Sequence, residues 1–291
     1  MSLLTPDELK ELRRLQIRAG RRVDAVLAGE YRSAVRGQGM EFEEVRAYVP
    51  GDDVRHIDWN VTARTGEPFI KVFREERQLT VLLAVDISGS VQVGTGGRDG
   101  RTDRRLQVAR LAAGIAWAGQ RNRDRVGLLT FTDTVETYLP ARSGRAHNWA
   151  VIRAAYEASA VRRTTDLDTV FRRLTGMQRR RATLVIISDF LDDGDWERSL
   201  AALCRRHTVF AFCLHDELDT GLPGLGLVEV EDAETGRRQL VDASALRGTL
   251  SVDARMSKLR RAGARAHALT CEDDAFRLLR KAFSAPKGGR R

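Results

Sequence analysis

Oxygen ligands recur in three short stretches of the chain. Val85-Asp86-Ile87-Ser88-Gly89-Ser90 sets a carboxylate and two hydroxyls at alternate positions, Thr164-Thr165-Asp166 offers hydroxyls ahead of a helical pattern, and Ile187-Ser188-Asp189 ends an apolar run on a carboxylate. A hard divalent cation such as Mg2+ takes about six oxygens in octahedral geometry and usually keeps several waters. Asp86, Ser88, Ser90, Thr165 and Asp189 would supply two carboxylates and three neutral hydroxyls, which meets that demand. Two negative charges only balance such an ion, which would keep enough Lewis acidity to attract one more anionic oxygen from outside. Taken singly, the same residues have structural uses: Ser90 in a turn, Thr165 with Asp168 as a capping sequence, and Asp189 as a cap for the segment after its strand.

Three loops can cooperate only if the fold brings them to one place. Asp86 follows Val81-Leu82-Leu83-Ala84-Val85, apolar on both faces and so readable as a buried, central, parallel strand. Beyond it, apolar strands at Arg125–Phe131, Ala182–Ser188, Thr208–Leu214 and Ala266–Leu269 alternate with helical patterns near Leu106–Gln120, Asn148–Ala158, Asp166–Gly176, Asp195–Arg206, Ala245–Ala262 and Asp273–Phe283. A hairpin-like pair surrounds Glu234-Thr235-Gly236. This order predicts an α/β fold, a mainly parallel sheet with helices on both faces. Ligands in such sheets bind at the carboxyl ends of the strands, where the three oxygen-bearing loops fall.

Composition narrows the function classes. At 291 residues and 42% hydrophobic content the chain can bury a substantial core. Apolar runs such as Val81–Val85 and Leu184–Ile187 fall far short of a membrane span, and the N-terminus has no apolar signal core, so a cytoplasmic protein is expected. Cys204, Cys213 and Cys271 form no C-x-x-C and read as reduced residues of the interior. His56, His147, His207, His215 and His267 show no zinc spacing. The formal charge of +9 favours anionic partners, but no aromatic residues interleave with the arginines of the N-terminal helix, as a nucleic-acid groove would require.

That helix starts at a capping box, Thr5-Pro6-Asp7-Glu8, and runs to about residue 28. Phe69-Ile70-Lys71-Val72-Phe73 alternates like a half-exposed strand. Between them lie Gly37-Gln38-Gly39-Met40-Glu41-Phe42 and Val49-Pro50-Gly51-Asp52-Asp53-Val54-Arg55-His56-Ile57-Asp58-Trp59. Pro-Gly-Asp-Asp is foremost turn chemistry, Ile57 and Trp59 read as anchors onto a core, and Asp58 is expected to pair with Arg55 or Arg64. A second metal or acid/base cluster of Asp52, Asp53, His56 and Asp58 is the competing reading.

The loops resemble the metal-ion-dependent adhesion site of von Willebrand factor A domains: Asp86, Ser88 and Ser90 match D-x-S-x-S, Thr165 the threonine of the second loop, and Asp189 the aspartate of the third. That resemblance implies a von Willebrand factor A-like fold, Mg2+ or Mn2+ as cofactor, and hydroxyl and carboxylate coordination. The segment 93–104, rich in glycine and arginine, departs from the adhesive members, where a helix follows the serine loop almost directly. G-x-G-x-E-F, R-x-Y-x-x-G-D-D-x-R-x-I-D-W with the following Ala63-Arg64, and Asp124-Arg125-Val126-Gly127 resemble the bacterial family numbered fifty-eight in the domain-of-unknown-function series. Its signature residues here are Asp52, Asp53, Arg55, Asp58, Trp59 and Arg64. Members are often encoded beside MoxR-type AAA+ ATPases and are thought to act with them in chaperone-like maturation or assembly of other proteins. Many carry N-terminal membrane spans, where this chain has a basic helix.

The resulting expectation is a non-enzymatic, Mg2+-dependent adaptor that captures a client's acidic side chain and works with a MoxR-type ATPase. Residues 1–78 would form the N-terminal helix and signature extension packed on the sheet, 79–284 the von Willebrand factor A-like domain, and 285–291 a disordered basic tail. The rivals are a metal-dependent phosphohydrolase or nuclease, for which no nucleophile with an adjacent base is evident, and a basic nucleic-acid-binding protein.

Overall fold

Side-chain alternation along the central strands decides the architecture. In a computed structural model of the chain, β3 (Thr80–Asp86) directs Val81, Leu83 and Val85 into one apolar cluster and Leu82 and Ala84 into another. The structure describes Tyr31 and residues 40–75, 78–92, 103–160, 164–215, 226–231, 237–242 and 251–284. The helix expected over 6–28, the loop residues 93–102 and the tail 285–291 lie outside them.

β3 is joined by β4 (Arg125–Phe131), β5 (Val135–Arg142), β6 (Thr183–Ser188), β7 (Thr208–Leu214) and β10 (Arg265–Leu269) in the spatial order β10-β7-β6-β3-β4-β5. All neighbours are parallel except β5, which runs antiparallel to β4 at the sheet edge. β5 went unread in the sequence because its burial is mixed along its whole length and it contains Pro140, a residue that edge strands tolerate.

Helices cover both faces. α3 (Asp103–Asn122), α4 (Arg145–Glu157) and α8 (Ala275–Ser284) place Leu111, Val151 and Leu279 against the odd-numbered residues of β3. α5 (Leu167–Met177), α6 (Glu197–Arg206) and α7 (Val252–Arg261) place Phe171, Leu200 and Leu259 on the opposite face. α3 and α8 come so close that a Cβ on Gly114 would lie 2.5 Å from Leu279 Cδ1. The sheet is therefore dry on both sides, which is why its strands read as continuous apolar runs.

The junction into β3 is set by Asp124, whose Oδ1 accepts from the Leu79 amide at 3.0 Å while Arg125 N–H donates to the Leu79 carbonyl at 2.8 Å. That double contact gives the Asp124-Arg125 pair a structural use: it fixes the level at which β3 and β4 begin. Tyr31 belongs to the same unit, its ring edge-on to Phe283 at 5.3 Å. A hairpin of β8 (Leu227–Glu231) and β9 (Arg238–Asp242) follows β7, as the turn signal at 234–236 implied.

The described residues of Arg36–Gln78 form a second unit. β1 (Met40–Ala47) pairs antiparallel with β2 (Phe69–Glu75), and a 3-10 turn (Val54–His56) and α1 (Trp59–Thr65) lie between them. α1 is capped by Asp58, which accepts from the Asn60 and Val61 amides, and closed by Gly66 at φ 80°. Two sequence expectations change here. Trp59 is not an anchor but 70% exposed, and Asp58 pairs with Lys71 at 3.3 Å rather than with Arg55 or Arg64. Arg64 is exposed in the last turn of α1.

Candidate metal centre

The parallel register of β3 and β6 pairs Val85 with Ile187, so the next residues, Asp86 and Ser188, emerge side by side as the sheet ends. Ser188 Oγ donates to Asp86 Oδ2 at 2.6 Å and accepts from the Phe190 amide at 2.9 Å. Asp86 Oδ1 accepts from the Ser88 amide at 2.9 Å, a local turn that starts the short helix α2 (Gly89–Gln92). The Ser88 and Ser90 hydroxyls face each other at 3.2 Å. Alternation in D-x-S-x-S thus tethers one carboxylate to the loop and brings two hydroxyls to a common side.

Asp189 closes the constellation. Its Oδ1 accepts from the Leu191 amide at 3.1 Å, while Oδ2 is buried with no hydrogen-bond partner. Phe190 follows in the left-handed region at φ 54°, unusual for a bulky residue and held here by the hydrogen bond its amide N–H donates to the Ser188 hydroxyl. Asp86, Ser88, Ser188 and Asp189 are all essentially buried, and Ser90 is partly open.

Thr165 is half-buried and lies in a segment pinned at both neighbours of β3. Thr164 Oγ1 donates to Asp133 Oδ2, beyond the end of β4, at 3.4 Å; the Leu167 amide donates to Asp192 Oδ2, beyond the end of β6, at 2.7 Å. The cap of α5 is Asp166, which accepts from the Thr169 amide, so Thr165 and Asp168 are not the capping pair. Asp168 instead accepts from Ser199 Oγ at 2.5 Å.

Electrostatics explain why this cluster is unlike an ordinary turn. Burial above all, then the charge of Asp189, pushes the Asp86 carboxyl up to about 7, against the hydrogen bonds from Ser188 and Ser88. Burial likewise raises Asp189, opposed by the Leu191 amide, the Ser90 hydroxyl and the charges of Arg104 and Arg255. Two buried carboxylates, both raised by burial and Asp86 further by the charge of Asp189, form a donor set suited to a hard cation. Among the described residues, no three His, Cys, Asp or Glu side chains converge, so hydroxyls and water would complete such a shell.

The second cluster weighed from the sequence does not assemble. Arg46 grips Asp52 in a bidentate pair at 2.8 Å for each contact, and Asp53 is held at about 2 chiefly by its hydrogen bonds with Arg55. Asp58 is occupied by its cap and by Lys71. Each carboxylate already has a cation, so the Arg46 to Trp59 stretch organises a turn. Ser188, Asp192, Arg104 and Arg255 were not singled out in the sequence, although Ser188, one residue before Asp189 at the end of an apolar strand, was within reach of the same reasoning.

The family model described as "Protein of unknown function DUF58" matches residues 44–260, from the signature turns through five of the sheet's six strands and all three loops. The chain belongs to the DUF58 family. An uncharacterized protein of Mycobacterium tuberculosis is 38% identical over 227 residues, 77% of this DUF58 chain and 70% of that protein, and one of Mycobacterium bovis matches to the same extent. Solved structures similar to it include a conserved hypothetical protein, BatB, from Bacteroides thetaiotaomicron, at 14% identity and TM-score 0.45, covering 71% of this chain and 97% of that one. A von Willebrand factor type A protein from Catenulispora acidiphila is similar at 10% identity and TM-score 0.41, over 71% of this chain and 42% of that one. No helix among the described residues is long and apolar enough to cross a membrane.

Proposed function

We propose that this DUF58 chain is a non-enzymatic, cytoplasmic adaptor that binds a partner protein through a Mg2+-dependent site, working with a MoxR-type AAA+ ATPase in maturation or assembly of other proteins. The observation that carries the reading is the contact across β3 and β6: Asp86, Ser88 and Ser188 locked together beside a second buried carboxylate, Asp189. Asp86, Ser88, Ser90, Thr165 and Asp189 would hold the cation, Mn2+ serving as well as Mg2+. When bound, Mg2+ supplies a coordination position that a partner's Asp or Glu completes.

The protein's own groups perform the rest. Ser188 fixes the Asp86 carboxylate by donating to one oxygen, and the Ser88 amide fixes the other, so the pair is preorganised for a cation. Leu191 N–H holds Asp189 Oδ1 and leaves Oδ2 directed elsewhere. Ser90 and Thr165, the partly open members, would form the rim a partner approaches. The ATPase partner comes from the family resemblance alone.

The test is affinity capture of the tagged protein from its own cell extract in Mg2+, in EDTA, and with Asp86→Ala in Mg2+, after melting curves show that the variant is folded. An AAA+ ATPase or a client retained only by wild type in Mg2+ is expected. The same proteins in all three captures would refute the reading.

A further inference from the structure

Two arginines are buried against the candidate site from opposite faces of the sheet. Arg104, in the first turn of α3 and 3% exposed, donates from Nη1 to the Ser90 carbonyl at 3.0 Å. Arg255, in α7 and 1% exposed, donates from Nη1 to the Asp189 carbonyl at 2.5 Å. α3 belongs to one helical layer and α7 to the other, so the two cations converge on the loops that carry the ligand candidates. Both act on Asp189 through their charge.

A neutral side chain could tie a loop carbonyl just as well, and burying a guanidinium is expensive unless its charge is used. The count of charges shows the use. Even with both carboxylates ionised, the two negative charges of Asp86 and Asp189 are matched by the two positive charges of Arg104 and Arg255, so these four groups together offer a metal no net negative charge. The balance read from the ligand residues alone, two carboxylates against one divalent ion, leaves out these arginines. With them, a divalent ion brings the sum over these four groups and the metal to plus two.

We propose that Arg104 and Arg255 are built-in counter-ions that weaken cation binding by the protein alone and make it depend on an anionic oxygen supplied by a partner. The proposal rests on the cation-site reading above and adds a regulation to it. Cation and carboxylate become coupled ligands: each tightens the other by the same factor, because the anion relieves the excess positive charge. Such a site stays largely empty without a client and closes on metal and acidic side chain together.

Mn2+ titration followed by electron paramagnetic resonance tests this, with and without acetate as the carboxylate probe, at constant ionic strength in chloride and corrected for Mn2+–acetate association. Wild type, Arg104→Gln, Arg255→Gln and Asp86→Asn are compared, each checked by thermal melting; glutamine keeps a donor for the loop carbonyl. Wild type should bind Mn2+ weakly and gain about tenfold or more with acetate, the scale of one charge interaction at the effective permittivity of a protein site. Each glutamine variant should bind Mn2+ about tenfold more tightly without acetate and lose most of the acetate effect. Wild-type affinity indifferent to acetate overturns the proposal whatever the variants do. Folded glutamine variants that behave as wild type, while Asp86→Asn loses Mn2+, overturn the counter-ion role and leave the cation site standing. Mn2+ binding to none of the four proteins overturns both.

Discussion

At the scale of single residues, the Ser188 hydroxyl holds the two strands' ends together: it donates to Asp86 and accepts from Phe190, all buried. Ser188→Ala leaves both partners unsatisfied and should destabilise the fold by about 1–3 kcal/mol in urea denaturation; a change under about 0.5 kcal/mol would contradict that geometry. His267 offers a pH test away from the site. It stacks on Phe212 with ring centres 5.6 Å apart, and burial first, then Lys281, Arg260 and Arg265, holds its pKa down to about 4. An unfolded histidine titrates near 6.5, so between these values the unfolded chain takes a proton that the folded protein refuses. The stability this implies is complete above about pH 6.5 and is lost as pH falls towards 4. Wild type should lose on the order of 2 kcal/mol more than His267→Gln between pH 7 and pH 4, and parallel stability curves would refute it. The ligand candidates were legible because their spacing falls just after apolar strands. Arg104 and Arg255 were not, since in a chain with 49 Lys and Arg nothing local marks two helical arginines as buried.

At the scale of elements, the strands buried on both faces and most helices fall within a few residues of where apolar runs and helical periodicity put them. β4 and β7 do so at both ends, at Arg125–Phe131 and Thr208–Leu214. β1 and β5 escaped because a short ribbon or an edge strand alternates only weakly and buries too little to leave a run. The β4–β5 pairing also explains Gly127. A Cβ there would stand 2.9 Å from both Ala141 N and Leu139 O, where the register shifts between Val126 and Leu128. Backbone cannot yield as a side-chain end does, so Gly127→Ala should cost about 1–3 kcal/mol. By contrast, an alanine at Gly176, with no atom within 4 Å of the added Cβ, should be neutral or mildly stabilising. Equal melting shifts for the two would show that the β4–β5 approach is looser than described.

At the scale of the molecule, the large unit draws on a residue far upstream of its first strand. Tyr31 is fully buried, edge-on to Phe283, with its hydroxyl pushed well above the usual tyrosine range by burial and by Asp124. Tyr31→Ala should therefore destabilise this unit by about 3–5 kcal/mol, and a loss below about 1 kcal/mol would show that the sheet and its helices are complete without that residue. Alternating strands and helices made the α/β class readable, and the chain order of the three loops pointed to the candidate site. The larger unit resumes at Leu79, beside the division placed between residues 78 and 79 from the sequence, but its inclusion of Tyr31 follows from contacts that no composition shift announces. The central claim, that Asp86, Ser88, Ser90, Thr165 and Asp189 form a site for a divalent cation, is tested most directly by crystals grown in Mn2+ with an acidic peptide and examined by anomalous diffraction. A manganese peak bounded by the Ser88 and Ser90 hydroxyls and the Asp86 and Asp189 carboxylates is expected; a protein that orders these loops with no peak among them would contradict the cation site.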